Sequence, residues 1–358
     1  VNNDGWLDIY VCRELYDNQP GLRKNQLYIN NGPGEDGGFS TFSEAAEAWG
    51  IADDSRTRHA VFLDYNQDGY LDLFLLNQPP NPGNFSELYG TKPGPQYASK
   101  LYKNNGDNSF TDVTFQAGVG TPGYPNSVTA SDLNNDGWTD LYVANDFEVP
   151  DFYYINNGDG TFSSRLQESF NHTSYFSMGV DAADINNDSW IDVMVVDMVA
   201  EDNFRLKANM SGMNPSDFWK VVDDGGHYQY MYNTLQLNQG NPPDAPRFSD
   251  IAQLAGMPST DWSWSNLIAD FDNDGHKDVH ITNGLLRDIR NTDADKKFSA
   301  HIEEVANDWV NKNPNAGAVS IWDILDLDEA LEIVPSQKLA NYAFKNNGDL
   351  TFTKVATD

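Results

Sequence analysis

The sequence has little cysteine, no long apolar run and few basic residues, and each shortage excludes a class of structure. Its single cysteine, Cys12, cannot form an internal disulfide, so the fold does not rest on a disulfide framework. Cys12 lies in an apolar stretch over residues 9–12, and we expect a small buried side chain there. No segment approaches the roughly 18 apolar residues of a transmembrane helix. We therefore expect membrane contact only through an anchor outside this chain.

Basic residues are strongly outnumbered by acidic ones. The chain of 358 residues has 22 Lys and Arg against 54 Asp and Glu, which gives a net charge of −32. This balance excludes nucleic acid as a partner, because binding to phosphates requires a basic surface. About five bound divalent cations would cancel roughly a third of the charge, and the composition is typical of a calcium-loaded secreted protein. A hydrophobic content of 39% is sufficient for a sizeable core.

Catalytic motifs are also lacking. No zinc-protease, nucleophile-elbow or phosphate-loop pattern occurs. His276 and His280 are four residues apart, but one falls in a turn motif and the other on a predicted strand, which favours structural roles. Residues 118–123 match the dinucleotide-binding string, yet a strand rather than a helix follows, so we interpret them as a loop. Trp262 and Trp264 are candidates for stacking on a sugar, although packing between sheets is the more common role of such a pair.

The sequence contains instead a nine-residue acidic motif that occurs five times. Its clearest copy, residues 132–140, has Asp or Asn at positions 1, 3, 5 and 9 and Gly137 at position 6. The side-chain oxygens can converge on one hard cation, the glycine permits the sharp turn, and the backbone carbonyl of position 7 is the natural remaining ligand. We predict about five structural Ca²⁺ sites. The candidate ligands are Asn2, Asp4, Asp8, Asp64, Asn66, Asp68, Asp72, Asp132, Asn134, Asp136, Asp140, Asp184, Asn186, Asp188, Asp192, Asp270, Asp272, Asp274 and Asp278.

Two copies depart from the motif. The fourth has Ser189 in place of glycine, so we expect strain or a shifted turn there, and weaker binding. The first lacks only its first Asp, which we expect immediately before Val1 in a longer chain. An EF-hand is excluded because position 12, which must be Glu in that motif, is apolar and lies in a predicted strand. Asx turns without metal remain the alternative, and they are disfavoured because clustered carboxylates repel one another.

The segments between the motifs repeat the same strand signals. A short strand precedes each motif, a strongly apolar strand follows it, and a hairpin marked by Asn-Asn-Gly or a close relative leads to a strand that contains Phe. Four-stranded units of this kind are typical of propeller blades. The sequence therefore predicts an all-β fold, a β-propeller fragment over residues 1–358 with five four-stranded antiparallel blades, the first without its opening strand. The predicted blades cover about residues 1–50, 59–118, 126–170, 177–256 and 264–358.

Two insertions, residues 201–231 and 285–341, interrupt this rhythm. In the first, Asn214 and the proline after it predict a capped short helix. In the second, apolar residues at helical spacing over 298–309 predict one helix, and residues 320–333 predict another that is capped at its first residue. Insertions on one face of a repeat array often form its binding surface. Bracing of neighbouring blades is an equally open alternative.

The chain resembles the FG-GAP family, also called VCBS-type repeats, whose members include the integrin α-subunit propeller. It is more closely similar to large surface proteins of Bacteroidetes that carry such repeats, often with an ASPIC/UnbV-type domain. The matching segments are residues 201–205, 227–231, 260–264 and 341–348. The resemblance implies a seven-bladed propeller, export to the cell surface as a lipoprotein, and association with outer-membrane nutrient-import machinery. It implies no enzymatic activity.

We therefore expect a non-catalytic, calcium-stabilised extracellular binding or scaffold module on a bacterial cell surface. Its expected partners are proteins of a surface complex, glycans or both. The alternative is a polysaccharide lyase or hydrolase built on a calcium-binding propeller, with an acid/base cluster in a cleft formed by the two insertions.

Overall fold

The recurring unit of the fold is an antiparallel sheet whose strands follow one another in chain order. The computed structural model describes residues 1–15, 19–34, 37–80, 94–147, 149–209, 213–244, 246–288 and 290–355. The first sheet contains β1 (Ile9–Val11), β2 (Gln26–Pro33) and β3 (Ser40–Glu44). The second contains β4 (Arg56–Leu63), β5 (Asp72–Gln78), β6 (Lys100–Asn104) and β7 (Phe110–Asp112), and the third contains β8 (Pro125–Ser131), β9 (Asp140–Asn145), β10 (Phe152–Asn156) and β11 (Phe162–Ser164).

The remaining strands form two more large sheets and one small sheet. The two-stranded parallel sheet contains β12 (Thr173–Ser174) and β16 (Gln229–Tyr230). The fourth large sheet contains β13 (Val180–Ala183), β14 (Asp192–Val195), β17 (Thr234–Asn238) and β18 (Phe248–Asp250). The fifth contains β15 (Met198–Val199), β19 (Asp261–Ala269), β20 (Asp278–Asn283), β21 (Tyr342–Asn346) and β22 (Phe352–Val355). The fold is mostly β, and the predicted four-stranded antiparallel unit is confirmed in the second, third and fourth sheets.

The second strand of the second, third and fourth sheets is buried on both faces, as its continuous apolar sequence predicts. Alternate side chains of a strand point to opposite faces. In β5, Leu73 and Leu75 pack against the first sheet, whereas Phe74 and Leu76 pack against the third. The first strands β4, β8, β13 and β19 also lie next to one another in that order. The sheets are therefore stacked face to face, with one edge of each sheet beside the same edge of the next.

Hydrogen bonds from one recurring asparagine link consecutive sheets. This residue ends the third strand of its sheet and begins the Asn-Asn-Gly hairpin or its relative, and it is buried in four repeats. Its side-chain N–H group donates to a backbone carbonyl in the acidic loop of the preceding repeat. The pairs are Asn104 to Val1, Asn156 to Tyr65, Asn238 to Leu133 and Asn346 to Ile185, at 2.7–3.3 Å. The sequence indicated a turn at these positions, and the structure adds a contact between repeats.

Four short helices join one sheet to the next: α1 (Ala46–Trp49), α2 (Thr114–Ala117), α3 (Leu166–Ser169) and α6 (Ala252–Ala255). They were not predicted, because four residues are too few for a helical period. Three of them end at a glycine in the left-handed region, where the missing Cβ removes the steric cost. Gly118 is one of these residues, with a φ of 82°. The glycine string over residues 118–123 is thus a helix end followed by a loop.

The first insertion contains α4 (Asn203–Asn209) and α5 (Pro215–Asp223). The predicted cap is confirmed, since the Asn214 side chain accepts a hydrogen bond from the Ser216 N–H. Two strands beside these helices pair outside the fourth sheet: β15 joins the edge of the fifth sheet, and β16 pairs with β12. Residues 210–212 of this insertion and 81–93 of the second predicted blade lie outside the described residues.

The second insertion contains α7 (Thr292–Lys312), a 3₁₀ turn (Ile321–Asp323) and α8 (Leu327–Glu332). The helix predicted over 298–309 is confirmed and extends further in both directions. The single helix predicted over 320–333 is wrong. The Ser320 side chain makes no capping hydrogen bond, and Asp326 instead accepts from the N–H groups of Asp328 and Glu329. A new helix therefore begins at that cap. None of the described helices has the length and apolar character needed to cross a bilayer.

A buried arginine joins the two insertions to the fifth sheet. Both Nε and Nη2 of Arg205 in α4 donate to the Asp261 carboxylate at 2.9 Å. Its Nη1 donates to Asp288 at 3.1 Å and to Gln337 at 2.6 Å, both in the second insertion. The arginine and both aspartates are buried. The insertions therefore brace each other and the start of β19.

Substitution of this arginine is expected to destabilise the fold strongly. Arg205→Ala leaves two buried carboxylates without a counter-charge, a change that typically costs about 3–5 kcal/mol. Lys207→Ala is the matched control. Lys207 is exposed and lies on the same helix, and its substitution also removes one positive charge. Urea unfolding measures both. An Arg205→Ala protein as stable as Lys207→Ala would contradict the bracing role.

The asparagine contacts between sheets predict a second stability effect. Asn156→Ala would leave the buried carbonyls of Tyr65 and Thr139 without their donor. We expect a loss of at least about 2 kcal/mol, since each unsatisfied buried group costs about 1–3 kcal/mol. Asn157→Ala at the next, exposed position serves as the control, with a loss below about 1 kcal/mol. Equal unfolding free energies for the two variants would refute the contact's importance.

Candidate metal centres

Each acidic loop joins the first strand of its sheet to the second. The loop over residues 132–140 connects β8 to β9, and the loops that begin at residues 64, 184 and 270 occupy the same place in their sheets. The last residue of each loop is already the first residue of the second strand. A side chain at that position is consequently fixed by the sheet rather than by the turn.

Backbone N–H groups hold the carboxylates at the start of the loop. In the third loop, Asp132 accepts hydrogen bonds from the N–H groups of Asp136 at 3.0 Å and Gly137 at 2.8 Å. Asp136 in turn accepts from the Trp138 N–H at 2.8 Å. The second, fourth and fifth loops repeat these bonds. The loop itself therefore orients the oxygens at positions 1 and 5.

Two residues of every loop adopt the left-handed conformation. Position 4 is always Asn or Gln, with Asn135 at a φ of 59°, and position 6 is glycine in four copies, with Gly137 at 90°. Ser189 keeps this conformation at 73°, and its N–H still donates to Asp184 at 2.9 Å. The turn in the fourth loop is not shifted. The serine instead adopts a backbone conformation that is sterically costly for a residue with a side chain.

The carboxylate at position 9 is buried and connects the loop to its own hairpin. Asp140 accepts from the N–H of Leu133 at 3.0 Å and from the N–H of Asn156 at 2.8 Å. The equivalent residues Asp72, Asp192 and Asp278 make the same pair of bonds. Position 9 thus fixes the distance between the acidic loop and the third strand.

Among the residues that the structure describes, no lysine or arginine forms an ion pair with Asp72, Asp140 or Asp192. Burial raises the pKa of Asp140 to about 8, and the loop residues Asp136 and Asp132 add to the rise, although two backbone hydrogen bonds oppose it. The same causes raise the pKa of Asp72 and Asp192 to about 7. A divalent cation in the loop would favour the ionised forms and reverse these shifts. The electrostatics of the loops therefore favour a bound cation.

The fifth loop brings three carboxylates together. Asp270, Asp272 and Asp278 each offer an oxygen, and these oxygens lie within 4.8 Å of one another. A set of carboxylate, amide and carbonyl oxygens, without sulfur or imidazole nitrogen, is the donor set that hard cations prefer. Lys345 contacts Asp272 here and lies 3.1 Å from Asp274. This lysine supplies part of the missing positive charge.

The first loop keeps the geometry of the others where its residues are present. Asn2 donates to Asp4 at 2.8 Å, as the position-3 asparagine does in the next three loops. Asp8 accepts from the nitrogen of Val1 at 2.7 Å and from the N–H of Asn30 at 2.8 Å. All candidate ligands from the sequence therefore lie in loops of one design.

Hydrogen bonds also connect the loops to one another. The amide side chain of position 4 donates to the carbonyl of position 6 in the next loop. The pairs are Asn3 to Gly69, Gln67 to Gly137 and Asn187 to Gly275, at 2.6–3.0 Å. The third loop has a different contact, in which Asn134 donates to the Pro243 carbonyl at 3.2 Å. These bonds thus link the first three candidate centres to one another and the fourth to the fifth, along one edge of the stacked sheets.

The ring at position 7 explains why the hairpin glycine recurs. A Cβ added to Gly158 would lie 2.9 Å from the Trp138 ring. Each of the other repeats has the same close contact between a position-7 ring and its hairpin glycine, including His276 against Gly348. The predicted structural role of His276 is confirmed by this contact. The sequence signal for this contact is the aromatic ring at position 7 in every copy. The calcium motif uses only the backbone carbonyl of that position and so does not account for the ring.

The tryptophan pair proposed as a sugar platform is split between two environments. Trp262 is buried, whereas 41% of the Trp264 surface is exposed. The Trp264 Nε1 donates to the Gly284 carbonyl at 2.7 Å. The expected packing role therefore applies to Trp262, and Trp264 lies at the surface beside the second insertion.

The solved structures that resemble this chain include two distant ones. A lectin from Agrocybe aegerita, described by its specific recognition of non-reducing terminal N-acetylglucosamine, is 15% identical with a TM-score of 0.41, over 99% of this chain and 67% of the lectin. The biofilm matrix protein Bap1 of V. cholerae is 16% identical with a TM-score of 0.28, over 63% of this chain and 34% of Bap1. No curated protein matches the chain.

The sequence also matches a family model, described as FG-GAP-like repeat. The matched stretches are residues 1–75, 85–143 and 132–195, which together cover more than half of the chain and include the first four acidic loops. The chain therefore belongs to the FG-GAP-like repeat family.

Proposed function

We propose that this chain is a calcium-stabilised β-propeller segment that serves as a non-catalytic binding or scaffold module outside the cell. The observation that carries the proposal is the series of acidic loops along one edge of the stacked sheets. Every repeated motif is built around a cage of oxygens. The design that recurs in the repeats therefore serves stability in this proposal, and the irregular segments serve recognition.

Three observations support the propeller architecture. The first strands of successive sheets are neighbours in order, the second, third and fourth sheets are buried on both faces, and the first sheet has three strands where the other four large sheets have at least four. A propeller places the first strand of each blade nearest its axis and buries each blade between two others. We propose five blades in this chain, from a ring of seven.

Calcium is the proposed cation because of the donors and the charge. All candidate ligands are oxygens, and extracellular modules bind Ca²⁺ at roughly 0.1–1 mM with such ligands. A net charge of −32 would also be reduced by bound divalent ions. Since the first three loops share hydrogen bonds, as do the last two, an ion in one of these loops would stabilise the position of its bonded neighbour as well.

The proposed location is a bacterial cell surface, with an anchor outside this chain. Its partners would be proteins of a surface or outer-membrane nutrient-uptake assembly, glycans or both. Large apolar side chains exposed on the insertions support a contact surface there: Phe204 is 73%, Trp219 54% and Trp322 66% exposed. Such residues are enriched at protein interfaces and sugar-binding surfaces.

One side-chain group favours the alternative of a polysaccharide lyase or hydrolase. The Tyr232 hydroxyl lies 2.9 Å from His172 Nε2, and the Asp250 carboxylate lies 3.1 Å from the same nitrogen. Tyrosine and histidine can move protons in such reactions. Asp250 also accepts hydrogen bonds from the backbone of Leu235 and Ala252, however, and this gives it a structural role at the start of α6.

A glycan panel distinguishes the binding module from the enzyme. We expect binding of a partner without release of reducing ends or unsaturated products. Tyr228 is a nearby exposed tyrosine and serves as the control. Cleavage that is lost in Tyr232→Phe and retained in Tyr228→Phe would contradict the non-catalytic module and support the enzyme.

Removal of calcium is expected to lower the melting temperature sharply. At a tenfold excess of Ca²⁺ over the dissociation constant, each site adds about 1.4 kcal/mol, so about five sites together rival the stability of a typical domain. Asp136→Ala should remove roughly one fifth of the calcium-dependent stabilisation. Asp159→Ala, an exposed hairpin residue outside the loops, should remove none. A melting curve that is the same in EDTA and in Ca²⁺ would refute calcium's structural role.

A further inference from the structure

A cavity of about 510 Å³ lies between the third sheet and the end of the first insertion. One wall consists of residues before β8, between β9 and β10 and around α3, and the other consists of residues 221 and 224–227. Its volume falls in the range of about 300–1,000 Å³ that is usual for small-molecule sites. The acidic loops do not line it.

Hydrogen bonds and close packing hold the two walls of this cavity together. Gln229 in β16 donates to the carbonyls of Phe147 and Val149 at 3.1 and 3.4 Å. Gln167 in α3 donates across the opening to the Gly225 carbonyl at 3.4 Å. A Cβ on Gly226 would lie 2.6 Å from the Val221 side chain, so the insertion turns tightly here. The cavity is therefore a formed feature of the fold.

His227 gives the cavity an unused polar group. The residue is only 7% exposed and lines the cavity, and its buried Nε2 has no hydrogen-bond partner among the residues that the structure describes. An unpaired buried polar group costs about 1–3 kcal/mol. Burial lowers the pKa of His227, and nearby His172 adds to the effect, so the ring is uncharged at neutral pH. A neutral imidazole can accept a hydrogen bond from a ligand without repelling a cation.

The other ionisable groups of the lining are carboxylates: Asp151, Glu168 and Asp224. Lysine and arginine are absent from the described lining. Asp151 is fully buried, and its hydrogen-bond donors are the neutral Asn145 N–H and Tyr142 hydroxyl, each at 2.8 Å. Burial raises the pKa of Asp151 to about 7, with a smaller rise from Asp197, although its hydrogen bonds oppose the shift. An anionic ligand would be repelled by this lining.

Aromatic rings form part of the remaining surface. Tyr124 and Phe147 meet edge to face with centroids 5.3 Å apart, and Phe152 also lines the cavity. Rings of this kind accommodate apolar groups and attract cations to their faces. The cavity therefore combines acceptors and negative charge with apolar contact area.

We propose that this cavity binds a small organic cation, a primary ammonium group carried on an apolar body. The ammonium balances the negative charge of the lining, where Glu168 and Asp224 are exposed, and supplies an N–H donor for His227, and the apolar body packs against the aromatic rings. This inference deepens the proposed binding role and rests on it. It does not depend on the acidic loops, so the two are tested separately.

Four related probes test the charge requirement by isothermal titration at fixed Ca²⁺ concentration. Benzylamine has the primary ammonium, benzyl alcohol is its neutral counterpart, benzyltrimethylammonium keeps the charge without N–H donors, and benzoate reverses the charge. We expect saturable binding of benzylamine at one site, at least about tenfold tighter than benzyl alcohol, which corresponds to 1.4 kcal/mol. The quaternary probe should bind more weakly than benzylamine, and benzoate should not bind.

Two lining variants and one control assign the binding to this cavity. Asp224 is exposed, so the Asp224→Asn variant should fold normally. We expect this variant to lose about threefold in affinity for benzylamine. His227→Phe should lose about tenfold by removing the acceptor. Asp223→Asn removes the same charge from the adjacent exposed position outside the lining, and it should bind as the unmodified chain does. Melting curves in Ca²⁺ verify that each variant is folded.

Each outcome decides between the proposal and its rivals. Equal affinities for benzylamine and benzyl alcohol would overturn it in favour of a neutral ligand such as a sugar. Saturation of benzylamine that is unchanged in both lining variants would place the binding elsewhere and overturn the site. No binding of any probe up to about 10 mM, a range that still detects weak millimolar ligands, would also overturn it. None of these outcomes bears on the calcium proposal, because the melting experiment in EDTA tests that proposal independently.

Discussion

The structure depends on one buried asparagine that recurs in four of the repeats. Its backbone N–H reaches the position-9 carboxylate of its own acidic loop, and its side chain reaches the loop of the preceding repeat, as Asn156 does with Asp140 and Tyr65. In a stack of sheets, the loops at one edge would otherwise leave several buried backbone carbonyls without donors, each at a cost of about 1–3 kcal/mol. The asparagine pairs them while fixing the register between two sheets. The same asparagine consequently connects the acidic loop, the hairpin and the neighbouring sheet.

This arrangement explains why a cation in the loops would matter beyond its own ligands. The position-9 carboxylate is buried because the hairpin covers it, and burial is the main cause of its raised pKa. A bound cation would stabilise the ionised carboxylate and with it the hydrogen bonds to the hairpin. Because Gln67 then contacts the Gly137 carbonyl of the next loop, the gain extends to a neighbouring sheet. Loops in series are expected to respond to calcium together, as in other repeat arrays with strong nearest-neighbour coupling.

The parts of this fold that could be predicted from sequence are those set by local chemistry. Three features depend on residues within a few positions of one another: the acidic loops, the apolar second strands and the Asn-Gly turns. Their patterns can therefore be recognised in the sequence. The prediction of one helix over residues 320–333 is wrong because the capping hydrogen bonds form at Asp326 and not at Ser320. Both residue types are good caps, so neither residue type nor apolar spacing distinguishes the two positions. The Arg205 contacts with Asp261 and Asp288 span up to 83 positions, and no local pattern indicates them. The cavity beside His227 is equally non-local, since its walls come from a sheet and an insertion that are distant in sequence.

The first insertion braces the fold, and it is also the segment for which we propose binding. At its start, Arg205 in α4 is held by buried aspartates of the fifth sheet and the second insertion. At its end, residues 221–227 close a cavity over the third sheet. One segment thus bridges from the third sheet to the fifth, and its rigid attachment at the first point is what allows a defined cavity at the second. A free loop would have to be ordered on binding, at a cost of about 0.5–1.5 kcal/mol for each immobilised side chain. Bracing is therefore the condition for recognition at this insertion, and the repeats supply the fixed surface on which both depend.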